Sequence, residues 1–205
     1  MAKKIMFNDR YGLTQAVLSG HKTMTRRIIK SRNMIARHWN PAFNADHCYY
    51  TDERGKCQLI DDDTDKIIIP RYKFGEVVAI AQSYKDCGNF PNDLDYDEDG
   101  YPIMPKNSGY FNKMFVSSSL MPHHIRITDV KVERLNDITP DDCLKEGISF
   151  IDKIKAYYFD RSDRDQGFYY YTAKHAFASL IDKVSGKGVW DSNPWVFAYE
   201  FELVD

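Results

Sequence analysis

The stretch His124-Ile125-Arg126-Ile127-Thr128-Asp129-Val130-Lys131-Val132-Glu133-Arg134-Leu135 decides the fold class of this chain. Ile125 and Ile127 alternate with polar neighbours, as side chains do along a half-buried strand. Val130 and Val132 alternate as well, but in the opposite phase. A phase change across Thr128-Asp129 predicts a β-bulge, in which one extra residue swaps the faces and bends the strand. Bends of that kind help small barrels to close.

On the C-terminal side, Thr139-Pro140-Asp141-Asp142 predicts a helix start: a threonine N-cap, proline at the first helical position and acids in the first turn. That helix is expected to end near Gly147. Thr172 to Val184 reads as a second helix, with Ala173, Ala176, Phe177, Leu180, Ile181 and Val184 on one side and Ser185-Gly186-Lys187-Gly188 closing it. Alternation from Trp195 to Val204 predicts a C-terminal strand.

On the N-terminal side, Val77 to Ala81 follows Gly75 and reads as a buried strand, and Lys4 to Phe7 as a short one. Ile67-Ile68-Ile69 is a further candidate, cut off by Pro70. Leu13 to Ser19 predicts a short helix, with Gly20 placed as its C′ residue. Strands separated by short helices, without βαβ rhythm, indicate an α+β fold. There is no internal repeat. The 205 residues read as one domain, 1–205, with insertions at about 31–72, 85–115 and 149–171. Cys87 to Ser108, rich in Asp, Asn, Gly and Pro, reads as a long loop.

Hydrophobic content of 43% with 14% aromatics suits a globular chain. The mean hydropathy of -0.54 indicates long polar loops. No apolar run approaches the roughly 18 to 20 residues of a membrane span, and no signal-peptide pattern follows Met1. Cys48, Cys57, Cys87 and Cys143 lack paired spacing, so four free thiols and a cytoplasmic location are expected. The net charge of -2 argues against a nucleic-acid coat protein, but its distribution is uneven. Between Arg10 and Ala45 stand seven Lys or Arg residues and no acid. That asymmetry points to a local anion site.

Three metal or phosphate motifs fail on inspection. Asp95-x-Asp97-x-Asp99-Gly100 opens like a calcium loop, but Lys106 stands where a bidentate glutamate is required. Gly186-Lys187-Gly188 lacks the earlier glycine and following hydroxyl of a P-loop. His47-Cys48 with Cys57, and the adjacent His123-His124, do not have zinc spacing. No metal and no cofactor is expected.

The segment Gly20-His21-Lys22-Thr23-Met24-Thr25-Arg26-Arg27 gathers hydroxyls and cations directly after a tight turn. Composition alone reads it equally as a solvated edge strand with surface arginines. It resembles the G-x-K-T-x-T-x-R signature of ASCH domains, small β-barrels of the PUA-like superfamily. The resemblance continues through Gly75-Glu76-Val77-Val78, Met121-Pro122, Ile127 to Leu135, Ile138-Thr139 through Glu146-Gly147, and Gly186 to Val196. These blocks cover about half the chain, in the family's order, and are closest to the longer ASCH proteins of phages and bacteria. One departure is Ala81-Gln82, where those relatives often carry Arg-Glu.

The resemblance implies a small PUA-like barrel with flanking helices and long loop insertions. Some small ASCH proteins are amidohydrolases that deacylate N4-acetylcytidine and related nucleosides. Carried over residue by residue, their catalytic set is Lys22 as base, Thr25 as nucleophile and Glu146 as the acid that orients the lysine or handles the leaving amine's proton. Gly20, Thr23, Arg26 and Arg27 would contact substrate or RNA, with Arg26 close enough to bind an anion. The expected partner is a modified nucleoside or RNA, with no membrane and no obligate protein partner. The alternatives are a non-catalytic RNA-binding module and, more weakly, a ribonuclease. One geometric condition applies. Residues three apart in a strand point to opposite faces, so Lys22 and Thr25 cooperate only if Lys22 lies in the turn and the strand begins nearer Thr23. Otherwise Thr23 is the better-placed hydroxyl.

Overall fold

A computed structural model describes residues 3–31, 33–38, 50–52, 55–88, 95–103, 110–159, 165 and 168–204. In chain order the first strands are β1 (Lys4–Ile5), β2 (Met24–Ile28), β3 (Met34–His38), β4 (Tyr50–Asp52), β5 (Gly55–Asp61), β6 (Lys66–Ile67) and β7 (Val77–Ile80). They are followed by β8 (Asp95–Tyr96), β9 (Pro102–Ile103), β10 (His124–Arg134), β11 (Ser149–Ile151), β12 (Ala156–Tyr158) and β13 (Trp195–Leu203). The helices are α1 (Leu13–Leu18), α2 (Pro140–Lys145), α3 (Ala173–Ser185) and α4 (Val189–Ser192).

The protein is a mixed α+β structure with several sheets and few helices. Its main sheet has five strands in the order β1-β7-β10-β13-β2. β1 pairs with β7 in parallel, and the other neighbours are antiparallel. The strands expected around 77–81, 124–135 and 195–204 therefore share one sheet. The path is open among the described residues, with β1 and β2 at its edges, and no closed barrel is formed.

β10 is the axis of this sheet. Its register against β13 shifts between Ile127 and Asp129, where two steps on β10 match one step from Phe201 to Glu200. This is the bulge that the alternating pattern predicts. Ile125, Ile127 and Val132 all enter the core despite their opposite phases. Lys131 and Glu133 accordingly emerge on the other face.

The helix ends follow their sequence signals. Thr139 caps α2 by accepting from the Asp142 N–H at 3.1 Å, and Thr172 caps α3 by accepting from His175 N–H at 3.2 Å. α3 buries Ala173, Ala176, Phe177, Leu180 and Ile181. At roughly 1.5–3 kcal/mol per large apolar side chain, this face fixes the helix to the sheet. Val184, expected on that face, is partly exposed.

Residues 34–67 hold a four-stranded antiparallel sheet, with β5 between β3 and β4 and with β6 also on β5. Of the isoleucine run, Ile67 is in a strand and Ile69 is exposed. Within the expected loop at 87–108, Asp95–Tyr96 and Pro102–Ile103 pair as a short hairpin. His47 and Cys48, together with other parts of the expected insertions, lie outside the described residues. No described helix is long and apolar enough to cross a membrane.

Candidate active site

Lys22 lies in the turn ahead of β2. Gly20 adopts φ 72°, left-handed backbone that only glycine enters freely. The chain then runs between the C-terminal ends of two helices: Lys22 N–H donates to the Ala16 carbonyl of α1 at 2.8 Å, and Thr23 N–H donates to the Lys145 carbonyl of α2 at 2.9 Å. The strand begins only at Met24, so the geometric condition on Lys22 and Thr25 is met.

Glu146 is the C-cap of α2. Its carboxylate receives the Lys22 ammonium at 2.6 Å, and its own carbonyl accepts a second hydrogen bond from the same Nζ at 2.7 Å. Gly147 completes the fit. Its φ of 101° excludes most side chains, and a Cβ there would stand 3.7 Å from the Lys22 Cβ and Cδ. The lysine stem is thus packed against the helix end. Phe7 lies close by, with its ring centre 6.0 Å from the ammonium.

Lys22 is 2% exposed and Glu146 4%. Burial pushes the Lys22 ammonium below its usual 10.5, and Arg27 and Arg26 push in the same direction, while Glu146 opposes them. A buried lysine with a weakened hold on its proton is chemically suited to act as a base.

Arg26 is the centre of a wider ion network that the sequence reading did not anticipate. Its Nε meets Glu133 at 2.7 Å, Nη2 meets Asp142 at 2.8 Å, and Nη1 meets Glu146 at 3.1 Å. Lys131 joins from β10, at 3.1 Å from Asp142 and 3.3 Å from Glu133. Arg26 was expected to bind an anion. Its charge is instead matched by three carboxylates, so it organises the site from below. Arg27 is less committed: Nη2 donates to the Met6 carbonyl at 2.5 Å and the guanidinium lies 5.7 Å over Phe7.

Thr25 is 5% exposed and takes no part in the ion network. Together with Lys22, Arg26, Arg27 and Glu146 it lines a cavity of about 370 Å³. The opposite wall is apolar, formed by Leu13, Phe177, Leu180 and Ile181. Thr23 is not part of that lining; its carbonyl accepts from Phe201 N–H at 2.9 Å. Gly20 is likewise absent from it. Gln82 at the departure from the family pattern faces a different cavity, beside Ser83, Thr14 and Asp9.

Cys143, beneath the network, is fully buried and its thiol is pushed up to about 12 by burial. It is therefore unsuited to be a nucleophile. No group of His, Cys, Asp and Glu among the described residues is arranged to hold a metal ion.

The network makes a pH-dependent contribution to stability. Burial would raise the Asp142 carboxyl, but hydrogen bonds from Lys131 and Arg26 outweigh it and hold the group below its usual 3.8. A folded value below the unfolded one stabilises the protein fully above 3.8, and this is lost as pH falls through the folded value. Asp142→Asn is expected to lower the urea midpoint at neutral pH, with the gap from wild type closing as pH drops below 3.8. A gap that stayed constant down to acid pH would rule out this linkage.

Comparison with known proteins leaves the family open. No family model matches the chain, and no curated protein matches it. Among solved structures, the crystal structure of protein EF3133 from Enterococcus faecalis V583, described under the family model DUF984, is similar at 14% identity. The match covers 94% of this chain and 67% of that one, with a TM-score of 0.34. At that score the likeness carries no argument.

Proposed function

We propose that this chain is an ASCH-type member of the PUA-like superfamily, its five-stranded sheet a partial barrel, and that it deacylates N4-acetylcytidine-type nucleosides. The observation that carries this reading is the meeting of the Lys22–Glu146 pair and Thr25 in one half-apolar cavity. A flat acylated base suits such a space: apolar walls take the ring, and a few polar groups orient the amide.

In the proposed reaction the Thr25 hydroxyl attacks the acyl carbonyl while Lys22, in its neutral form, takes the hydroxyl proton. Collapse of the tetrahedral intermediate breaks the carbon–N4 bond, and the proton held at Lys22 passes to the departing amine. Water then hydrolyses the acyl-threonine, releasing the carboxylic acid. Glu146 positions the lysine throughout and stabilises its protonated form. Arg26, by anchoring the other oxygen of Glu146 at 3.1 Å, fixes the direction in which that carboxylate points.

The second reading is a non-catalytic RNA-binding module. It is favoured by the same lysine's two short contacts, at 2.6 and 2.7 Å, which resemble a structural ion pair. The direct test is turnover of a panel of N4-acylated cytidines by purified protein. Release of cytidine and the free acid is expected. No release from any member, combined with salt-sensitive RNA affinity, would decide for the binding module.

A further inference from the structure

A second cavity, of about 700 Å³, opens beside the first, between the end of β2 and the chain from Asp61 to Tyr72. It shares Met6, Arg27, Ile28 and Lys30 with the smaller cavity, so these residues form the divide between the two. Its far wall belongs to the 34–67 sheet and the segment after it, which supply Lys66, Ile67 and Arg71.

The charge of this cavity is one-sided. Arg27, Lys30, Lys66 and Arg71 line it, and among the described residues none of the four has a carboxylate partner. Among the described residues Asp61 is the only acid in the lining. Its oxygens already accept from Ser31 Oγ at 2.8 Å and from Thr64 N–H and Oγ1 at 3.0 and 2.9 Å. Lys66, Lys30 and Arg71 are exposed. The Arg71 guanidinium lies 5.6 Å over the Tyr72 ring, a stacked arrangement that does not use up its N–H donors. Four unmatched cations around one concave surface complement a polyanion.

The size argues for more than a phosphate ion, which would leave most of the space empty. Arg27 and Lys30 on the divide are placed where a backbone phosphate would cross from one cavity to the other. Resting on the nucleoside reading of the smaller cavity, we propose that the larger one seats the phosphodiester backbone and adjoining nucleotide of a single-stranded oligoribonucleotide. The acylated base of that strand lies against Lys22 and Thr25. The substrate is then a modified base within a strand, and the 34–67 sheet supplies the side of the site that reads the polymer.

The test uses fluorescence anisotropy with a short labelled single-stranded oligoribonucleotide across a salt series, on wild type and Lys66→Ala/Arg71→Ala. Both replaced residues are exposed and stand outside the proposed catalytic set. The double variant is expected to bind about tenfold more weakly, with the slope of log affinity against log salt reduced by about 1.4. Hydrolysis of free N4-acetylcytidine should be unchanged. Unaltered oligonucleotide affinity and slope in the double variant would overturn the proposal, as would equal wild-type affinity for cytidine 5′-monophosphate and the oligonucleotide. If wild type fails to hydrolyse any acylated cytidine but its oligonucleotide binding depends on Lys66 and Arg71, the polymer subsite stands and only the catalytic reading falls.

Discussion

Thr25→Ala is expected to leave a folded protein that hydrolyses N4-acetylcytidine at least about a thousandfold more slowly, since a nucleophile and its base act as a unit. The fold should tolerate the change. Thr25 is buried in β2, but its hydroxyl lies outside the ion network, so the structural cost is about 1 kcal/mol. Thr25→Ser keeps the hydroxyl and should retain turnover. Lys22→Arg keeps the positive charge beside Glu146, yet a guanidinium does not give up its proton and cannot serve as base. It should therefore match the alanine variant in rate while binding product normally.

The pH profile adds a further check. A base must be neutral, so kcat/KM should rise with pH through the Lys22 ionisation, on a limb lying below 10.5 because burial lowers that value. Wild-type rates from Thr25→Ala would remove threonine from the mechanism. Attention would then pass to Thr23.

Arg26→Met should have the largest effect on stability. Arg26 is 5% exposed, and its guanidinium neutralises Glu133, Asp142 and Glu146 together. Removing it leaves buried carboxylates facing one another with only Lys22 and Lys131 nearby, at a cost of about 3–5 kcal/mol. In a protein of this length that corresponds to a fall in melting temperature on the order of 10 °C. Arg26→Lys should recover little, because one ammonium cannot span three carboxylates in a plane. Arg134→Met provides the contrast. That guanidinium lies 4.3 Å over the Trp195 ring, a contact contributing about 0.5–1 kcal/mol. Equal losses from the two variants in chemical denaturation would show that the network does not concentrate stability at Arg26.

The sequence carried local signals well and long-range ones poorly. The bulge in β10 was legible because a period of two leaves a visible phase, and Ile125, Ile127, Val130 and Val132 mark it. The caps at Thr139 and Thr172 were legible because the capping hydrogen bond spans only three residues. The 34–67 sheet was not. In β5 both Gln58 and its neighbours Cys57, Leu59 and Ile60 are buried, so no alternation survives to be read. Its pairing with β3 comes from contacts that a linear pattern does not record.

The candidate site divides in the same way. Lys22, Thr25 and Glu146 came from a motif resemblance; spacing alone would not have joined residues 124 positions apart. Asp142 read only as a favourable acid in a first helical turn, and Glu133 as one polar step in a strand. The available signal was Arg26 itself, since an arginine between two residues of a buried strand must find anions. Which anions it finds depends on how β10 and α2 lie across β2, and that is tertiary information.

The single unpaired residue in β10 works like a frame marker in a text. Upstream of it, odd positions point into the core; downstream, even positions do, and Lys131 and Glu133 are released to the face where Arg26 waits. Deleting Thr128 would leave Asp129 opposite Glu200 in a plain ladder, with every later side chain on its present surface and only the local bend lost. Inserting one residue after Val130, with no second bulge to absorb it, would turn Lys131 and Glu133 to the wrong surface and drive two charges into hydrocarbon. Loops of this chain can change length and leave the chemistry in place. This strand tolerates that only at its bulge: along the paired ladder, lengths are quantised in steps of two, and the ionic floor of the cavity is legible only in one frame.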